Sequence, residues 1–350
     1  MSDAIILGAP RGIDYTKDFE YTTNSTSCLI TKYIGTKKDV VVPSRIEGKP
    51  VVIQNSSYYS GVFTNNRNII SVKFSEGVSI ANNNMAYMFN RCFSLVNAPV
   101  IPANVTSMDS TFYFCDNLVN APAIPANVTN MSHTFAACTN LVNAPAIPAS
   151  VTSMDSTFTH CTNLVNAPDM SNATNVNYMS YTFSNCDNLV NAPAIPTSVT
   201  SMDSTFESCI SLVNAPDIPA SVTSMDNTFH NCTNLVNAPD MSNAKNVQYM
   251  GFTFFRCSNL VNAPVIPANV TNMGFTFYFC DNLVNAPVIP ANVTYMDSTF
   301  ESCISLVNAP AIPTSVTSMN STFVSCTNLV NAPDMSNAKN VQYMGFTFFR

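Results

Sequence analysis

Apolar and polar positions follow one repeating order from residue 92 to the end of the chain. Each unit begins with a Cys, and Leu, Val, Met and Phe follow it at fixed places. One such set is Cys115, Leu118, Val128, Met131 and Phe135. The eleven cysteines from Cys92 to Cys326 are separated by steps of 23 or 25 residues. A short period with Leu at a fixed place predicts a solenoid, in which each coil of chain covers its neighbour.

Two elements are predicted within each unit. The segment "LVNAP" is extended and ends at a proline, so it predicts a parallel strand of about three or four residues that stops before the proline. The apolar residues of "VTSMDSTF" (Val105, Met108 and Phe112) recur at three- and four-residue spacing. That spacing predicts one short helical or 3₁₀ turn with a single apolar face.

The array contains longer copies as well. The 26 residues after His230 and those after Val324 differ only at their first position. The 25-residue units replace the middle of the repeat with segments such as "DMSNATNVNYMSYTF", and we expect this insertion to bulge outward without shifting the core. The chain stops at Arg350, one residue before the next expected Cys, which we interpret as a truncated array.

Three regions follow from these patterns. Residues 1–16 are predicted to be an N-terminal arm, residues 17–61 a β-hairpin cap over the apolar end of the stack, and residues 62–350 the solenoid. Alternating Val, Ile and Tyr between Asp18 and Ile53 indicate strands in the cap.

The stretch "FYFCDNLVNAPAIPANVTNM" (residues 112–131) resembles the BspA-like leucine-rich repeats of bacterial and protist surface proteins. The 25-residue units resemble the related 26-residue repeats of surface lipoproteins. Residues 18–53 resemble the β-hairpin entry that precedes such arrays. The resemblance implies a leucine-rich-repeat-like solenoid with a β-rich N-terminal cap, whereas similarity of fold transfers function poorly.

Charge and hydrophobicity limit the classes of partner that we expect for this chain. Residues 92–350 hold fourteen acidic and four basic residues, a net charge of −10, whereas residues 1–91 hold seven and ten, a net charge of +3. Phosphate backbones attract clustered Lys and Arg, so we predict no nucleic-acid partner. The chain lacks a run of eighteen apolar residues, which predicts no membrane-spanning helix. Its start, "MSDAIILGAPRGID", shows no signal peptide.

Residues that recur in every unit favour a structural role. We expect the cysteine column to be buried and reduced rather than paired in disulfides or bound to zinc. The Asn of each "LVNAP" is expected to hydrogen-bond along the stack, with a polar binding stripe as the alternative. Acids on adjacent coils, such as Asp203 and Asp226, indicate a solvated acidic face rather than a Ca²⁺ site. The three histidines occupy three different places in the unit. We predict no enzyme activity, no metal and no cofactor.

The pair between Phe and Cys varies freely from unit to unit while its neighbours barely change. Several of these residues are large, and the positions between Met and Thr vary too. Exposed aromatic residues with Arg are typical of contact surfaces. The predicted surface comprises Tyr113, Phe114, His160, Phe252, Phe255, Arg256, Phe275, Tyr278 and Phe279. Drift of positions that do not bear on packing is the alternative explanation.

These patterns predict a non-enzymatic recognition or adhesion module, secreted or at the cell surface, which presents a rigid surface to a protein or glycan on a host or neighbouring cell. A bacteriophage tail-fibre or receptor-binding virion protein is one alternative, because the chain has no visible signal peptide. A purely structural spacer or a self-assembling surface protein is the other. Neither the ligand nor the oligomeric state follows from the sequence.

Overall fold

The computed structural model describes residues 14–55 and 60–349. In these ranges, helices and multi-residue strands occur only before residue 84. The two 3₁₀ helices are Tyr15–Lys17 and Ala81–Asn83. The strands are β1 (Phe19–Thr23), β2 (Cys28–Tyr33), β3 (Asp39–Val42), β4 (Arg45–Ile46), β5 (Lys49–Ile53), β6 (Ser71–Phe74) and β7 (Ser79–Ile80). Most of the predicted N-terminal arm, residues 1–13, lies outside the described residues.

The first strands begin two ladders that run into the repeats. β1 and β2 form an antiparallel pair, β2 pairs parallel with β5, and β5 pairs parallel with β7. β4 pairs antiparallel with β5, and β3 pairs parallel with β6. Ser71 of β6 then bridges Asn97, and Asn84 bridges Ser107, so both ladders continue into the array. The predicted hairpin strands are therefore present, while their capping role stays a prediction.

Each coil of the array contributes isolated bridges to two parallel ladders. One runs through the Asn of "LVNAP", as in the bridge between Asn143 and Asn166, and the other through the residue before each Met, as in Ser153 and Tyr178. The predicted three- or four-residue strands were wrong in length, because pairing shrinks to one bridged residue. It does end before the proline, as expected, since proline has no N–H to donate.

The seven residues from each Met to the residue before the next Cys form what we call the turn ladder. From Met108 to Phe114, alternate N–H groups donate to carbonyls of the next coil, and those of Thr111 and Tyr113 donate within the coil to the residue three positions earlier. Ser110 and Phe114 have positive φ values of 52° and 58°. Such left-handed residues interrupt a helix, so the predicted short helical segment is a run of linked turns with 3₁₀-type hydrogen bonds.

The core is a set of aligned columns, one residue per coil. Phenylalanine rings from Phe63 to Phe348 stack with centroids 5.0–5.7 Å apart and interplanar angles of 1–9°. Leu, Val, Met and Cys columns are buried around them. Burial of each such side chain stabilises the fold by roughly 1.5–3 kcal/mol, which explains why these positions repeat without change.

Two buried polar columns satisfy backbone carbonyls. The Thr134 hydroxyl lies 2.9 Å from the carbonyl oxygen of Met108 on the preceding coil and 2.7 Å from that of Met131 on its own coil. The thiol of Cys138 donates to the carbonyl of Phe112 over 3.2 Å. All twelve cysteines are buried and free in this structure, which confirms the predicted burial of the column. The Thr column was not predicted.

Exposed polar columns also serve the stack. The side-chain amide of Asn166 donates to Asn143 over 2.9 Å, and two further pairs of the exposed "LVNAP" asparagines bond in the same way, so the expected hydrogen bonding along the stack occurs at three junctions. Asp203 and Asp226 are half-buried rather than fully solvated as predicted, and Asp203 accepts a hydrogen bond from the backbone N–H of Asp226 over 3.1 Å. This acid therefore joins successive coils through the backbone.

The 25-residue units differ from the expected outward bulge. Met170 and Ala173 of one insertion are buried, so the insertion adds to the core. It also bonds to the coil before it, because the N–H of Ile147 donates to the carbonyl of Asp169 over 3.0 Å. Each insertion therefore strengthens one junction between coils.

Candidate recognition surface

The structure divides the nine predicted contact residues into two ring clusters and one isolated residue. Tyr113 and Phe114 belong to the first ring cluster, which comprises Arg67, Arg91, Phe93, Tyr113, Phe114 and His133. Six others belong to the second ring cluster, which comprises His230, Phe252, Phe255, Arg256, Phe275, Tyr278 and Phe279. His160 is exposed between the two and makes no ring contact among the described residues.

The second ring cluster contains two parallel stacks on neighbouring coils. The rings of Phe252 and Phe275 lie 4.6 Å apart at an interplanar angle of 4°. In the other stack, Phe255 lies 4.7 Å from His230 and 4.9 Å from Tyr278, and both pairs are close to parallel. The two stacks also touch each other, with centroids 5.8 Å apart for Phe252 and Phe255. The rings therefore form one continuous apolar surface over three coils.

Arg256 lies within these rings. Its guanidinium carbon is 5.5 Å from the ring centroid of Phe255 and 5.5 Å from that of Phe279, which are cation–π distances. Phe279 stands almost perpendicular to Phe255, at 83°. Arg256 is exposed and forms no salt bridge with any residue in 14–55 or 60–349. The cluster thus carries a free positive charge on an apolar support.

The turn ladder positions these side chains through its left-handed residues. Phe252, Arg256, Phe275 and Phe279 have φ values of 57° to 58°. A bulky side chain with positive φ is strongly disfavoured. On coils outside the ring clusters, the same two places mostly hold Ser, Asn or Ala, as in Ser204 and Ser208. The rings therefore occupy these places at a cost in backbone energy.

Glycines make room for the cluster. Gly251 and Gly274 directly precede Phe252 and Phe275. A Cβ atom at Gly274 would lie 2.5 Å from the ring of Tyr295 on the next coil, closer than real Cβ contacts come. At Gly274 and Phe275, the phenylalanine ring joins the cluster. The absence of a Cβ atom on the glycine leaves room for Tyr295 of the next coil.

Polar groups flank the second ring cluster on both sides. His230 Nδ1 is buried and lies 3.8 Å from a carboxylate oxygen of Glu207. Burial lowers the pKa of His230, and the nearby Glu207 charge opposes that effect. Burial also raises the pKa of Tyr278, and the charge of Glu301 and its hydrogen bond to the phenol add to the rise. Glu207 therefore has a charged partner only when His230 is protonated.

The first ring cluster is looser. Tyr113 and Phe114 have centroids 4.4 Å apart with planes at 42°, and Phe93 lies 6.4 Å from Phe114. The guanidinium of Arg91 lies 5.9 Å from the Phe114 ring, and His133 meets Tyr113 edge-on. It repeats the combination of rings and arginine without the parallel stacks.

Comparison with known sequences settles the family. The family described as "BspA type Leucine rich repeat region" matches residues 51–165, 156–284 and 245–349. The chain belongs to this BspA-type leucine-rich repeat family. The prediction from the repeat is thereby confirmed. Comparison with curated proteins found no match.

A solved structure agrees on the fold. This BspA-type chain is similar to a leucine-rich repeat protein from Bacteroides ovatus ATCC 8483, at 22% identity and a TM-score of 0.68, over 96% of this chain and 91% of that one. At this identity the likeness concerns the fold alone. The chain also matches a leucine rich cell surface protein from Faecalibacterium prausnitzii A2-165 at 20% identity and a TM-score of 0.49, over 96% of both chains.

The BspA-type array also has an apolar groove away from the turn ladder. It encloses about 450 Å³ between two successive "APVIP" segments and is lined by Pro264, Val265, Ile266, Pro287 and Val288, among others. Its lining holds no titratable side chain. In residues 14–55 and 60–349, no group of three His, Cys, Asp or Glu side chains could hold a metal ion. No helix in the same ranges has the length and hydrophobicity of a membrane-spanning segment.

Sequence reasoning missed several members of the ring clusters. His230 was judged by its own place in the unit, but it stacks on a phenylalanine of the next coil. Tyr249 and Tyr295 replace the usual Ser or Asn before Met and are exposed beside the cluster. Comparing each variable place with the same place one unit later would have revealed these neighbours.

Proposed function

We propose that this BspA-type chain is a non-enzymatic recognition module that binds a protein partner through the ring clusters of its turn ladder. The second ring cluster carries the proposal. Large rings and an arginine meet there on adjacent coils, at places where most other coils carry small residues. Aromatic residues and Arg contribute most of the binding energy in many protein interfaces.

Unconstrained sequence drift does not account well for the second ring cluster. Replacement without constraint would favour residues that tolerate positive φ, such as Asn, and these are what other coils carry at the same places. Four bulky residues with positive φ, two preceded by glycine, instead indicate that something beyond the fold retains them. Unfavourable backbone conformations concentrate at functional sites.

The rest of the array supplies rigidity and reach. Two ladders and the ring column fix the spacing of the first and second ring clusters, so a partner with two epitopes can engage both at once. Such paired contacts raise avidity without new contacts. The resemblance of the units to those of bacterial and protist surface proteins supports a location at the cell surface or outside the cell.

The test compares binding to an array of extracellular proteins and to a glycan array. The test variant carries Tyr113→Ser, Phe255→Ser and Tyr278→Ser, three residues with ordinary backbone conformations. The matched control carries Val265→Ser and Val288→Ser, which remove exposed apolar side chains from the groove on the coil of Tyr278 and on the coil after it.

We expect the wild type and the control to bind the same proteins, and the triple variant to lose that binding at an unchanged melting temperature. Equal binding by the triple variant would reduce the array to a spacer. Binding to glycans alone would contradict a protein partner.

A further inference from the structure

The second ring cluster presents ring edges around one cation. We infer that its partner is a protein segment in which an Asp, Glu or C-terminal carboxylate lies beside apolar side chains, and that the carboxylate binds the guanidinium of Arg256. This inference rests on the proposed function and specifies the partner of that site. Two geometric features and the distribution of charge carry it.

The first feature is the direction of the rings. Because Phe255 is stacked between His230 and Tyr278, both of its faces are covered. The rings of Phe252 and Phe275 cover one face of each other in the same way. Rings stacked from coil to coil present their edges on the side that faces solvent. A sugar that packs on an aromatic residue needs a free face, which Phe255 does not offer, whereas apolar side chains and carbonyl oxygens of a protein pack against edges.

The second feature is the seat of the guanidinium. Arg256 lies against Phe255 and Phe279, two rings nearly perpendicular to each other, which restrict where its planar group can lie. A restricted guanidinium loses less conformational freedom on binding and can donate two parallel hydrogen bonds to one carboxylate. Apolar rings around it exclude water and strengthen that ion pair.

Charge completes the inference. Arg256 is the only arginine between residues 92 and 349, in an array with a net charge of −10. Two acids flank the cluster, with Glu207 facing His230 and Glu301 lying near the Tyr278 phenol, and neither forms a salt bridge with Arg256. Acids on both sides also repel polyanions. The site therefore suits one carboxylate within an apolar segment rather than a run of negative charge.

The experiment selects ligands for the full-length chain from a phage-displayed library of random linear peptides. The matched variant combines Arg256→Asn with Asn185→Arg. It keeps the net charge and moves the arginine to the same place on another coil, away from the rings, where Asn185 has φ 59°. Binding of synthetic peptides to both proteins is then measured by calorimetry, with melting temperatures as the folding control.

We expect selected peptides to carry Asp or Glu within a few residues of apolar side chains. The relocation variant should bind them at least about tenfold more weakly, because a charge-assisted hydrogen bond to a partner is lost. Replacing the peptide acid by its amide should weaken binding to the wild type by a similar factor, and should have little further effect on the relocation variant.

Three results would overturn the inference. They are no enriched peptide, enriched peptides without an acid, or effects of the Arg256 relocation and of the peptide amide that simply add to each other. These outcomes differ from failure of the proposed function. If Phe255→Ser with Tyr278→Ser abolishes peptide binding while the relocation variant binds normally, the ring cluster remains a recognition site and only the carboxylate is wrong. If the ring substitutions leave binding to the protein array intact, the proposed function itself fails.

Discussion

The rings of Phe252 and Phe275 lie parallel, 4.6 Å apart, on successive coils, and both residues have left-handed backbone conformations. Their mutual stacking contributes roughly 0.5–1.5 kcal/mol. Each left-handed phenylalanine costs roughly 1–2 kcal/mol relative to a residue that tolerates this conformation. The stack therefore offsets about one of the two left-handed costs, so the pair adds surface chemistry without adding stability.

That balance predicts the effect of Phe275→Asn on unfolding. Asparagine tolerates positive φ, so we expect the free energy of unfolding to change by less than about 1 kcal/mol in either direction. The matched change Phe277→Ala removes a fully buried ring from the same coil and should cost about 3–5 kcal/mol. Urea unfolding followed by circular dichroism measures both. A large loss for Phe275→Asn would show that the exposed stack supports the fold.

The buried Thr column gives a second prediction. Thr276 lies 2.9 Å from the carbonyl of Met250 and 2.8 Å from that of Met273. Thr276→Val keeps the shape of the side chain but removes a hydrogen bond to a buried carbonyl. We therefore expect the free energy of unfolding to fall by about 1–3 kcal/mol. Thr294→Val removes an exposed hydroxyl bonded to Thr271 and serves as the control. Equal unfolding midpoints for the two variants would contradict this role of the buried hydroxyl.

The cysteine column predicts loss of stability in alkali. Burial raises the pKa of Cys92 and of Cys326 from 9.0 to about 12. Above pH 9 the unfolded chain loses thiol protons that the folded chain keeps. The contribution is therefore fully present below pH 9 and declines as the pH rises towards 12, by about 1.4 kcal/mol per thiol and pH unit.

Urea midpoints between pH 7 and pH 10.5 test this, with Cys209→Ala expected to lessen the slope. In a parallel assay at pH 8, thiol reagents should modify the twelve cysteines only after unfolding. Rapid modification of the folded chain would contradict the buried column.

The lowered pKa of His230 predicts a loss of stability at acidic pH. Because burial lowers its pKa, the unfolded chain takes up the proton more readily than the folded chain. The stabilising contribution is therefore present above the ordinary His pKa of about 6.5 and is lost as the pH falls below it. An NMR titration in the background of His133→Gln and His160→Gln would give a single His midpoint. We expect it below 6.5, and a midpoint above that value would mean that Glu207 dominates.

The repeat made the core predictable. A residue that recurs at one place in every coil can be assigned to the interior from its type alone, as Leu118 and Cys115 were. The turn ladder was harder, because the spacing of Val105, Met108 and Phe112 suits a helix as well as linked turns. Its left-handed places hold Asn on only a few coils and elsewhere Ser, Ala or large residues, a mixture that does not indicate a positive φ. Backbone handedness was therefore invisible in the pattern.

The contact surface was only partly predictable for a related reason. The variable pair singled out Phe255 and Tyr278 one coil at a time, and their stacking depends on the register between coils. His230 was missed because its partner belongs to the next unit. Conversely, His160 occupies the same place in its unit as Arg256 and Phe279. The residues at that place on the two adjacent coils carry no rings.

Wherever a further coil follows within residues 60–349, alternate N–H groups of the turn ladder donate to the carbonyls of that coil. The backbone part of the interface is thus shared between junctions, and a duplicated or deleted block can rejoin through it where the side chains fit, as Gly274 fits beside Tyr295. Genetic recombination can therefore change the number of coils, and with it the distance between the two ring clusters, without changing the fold.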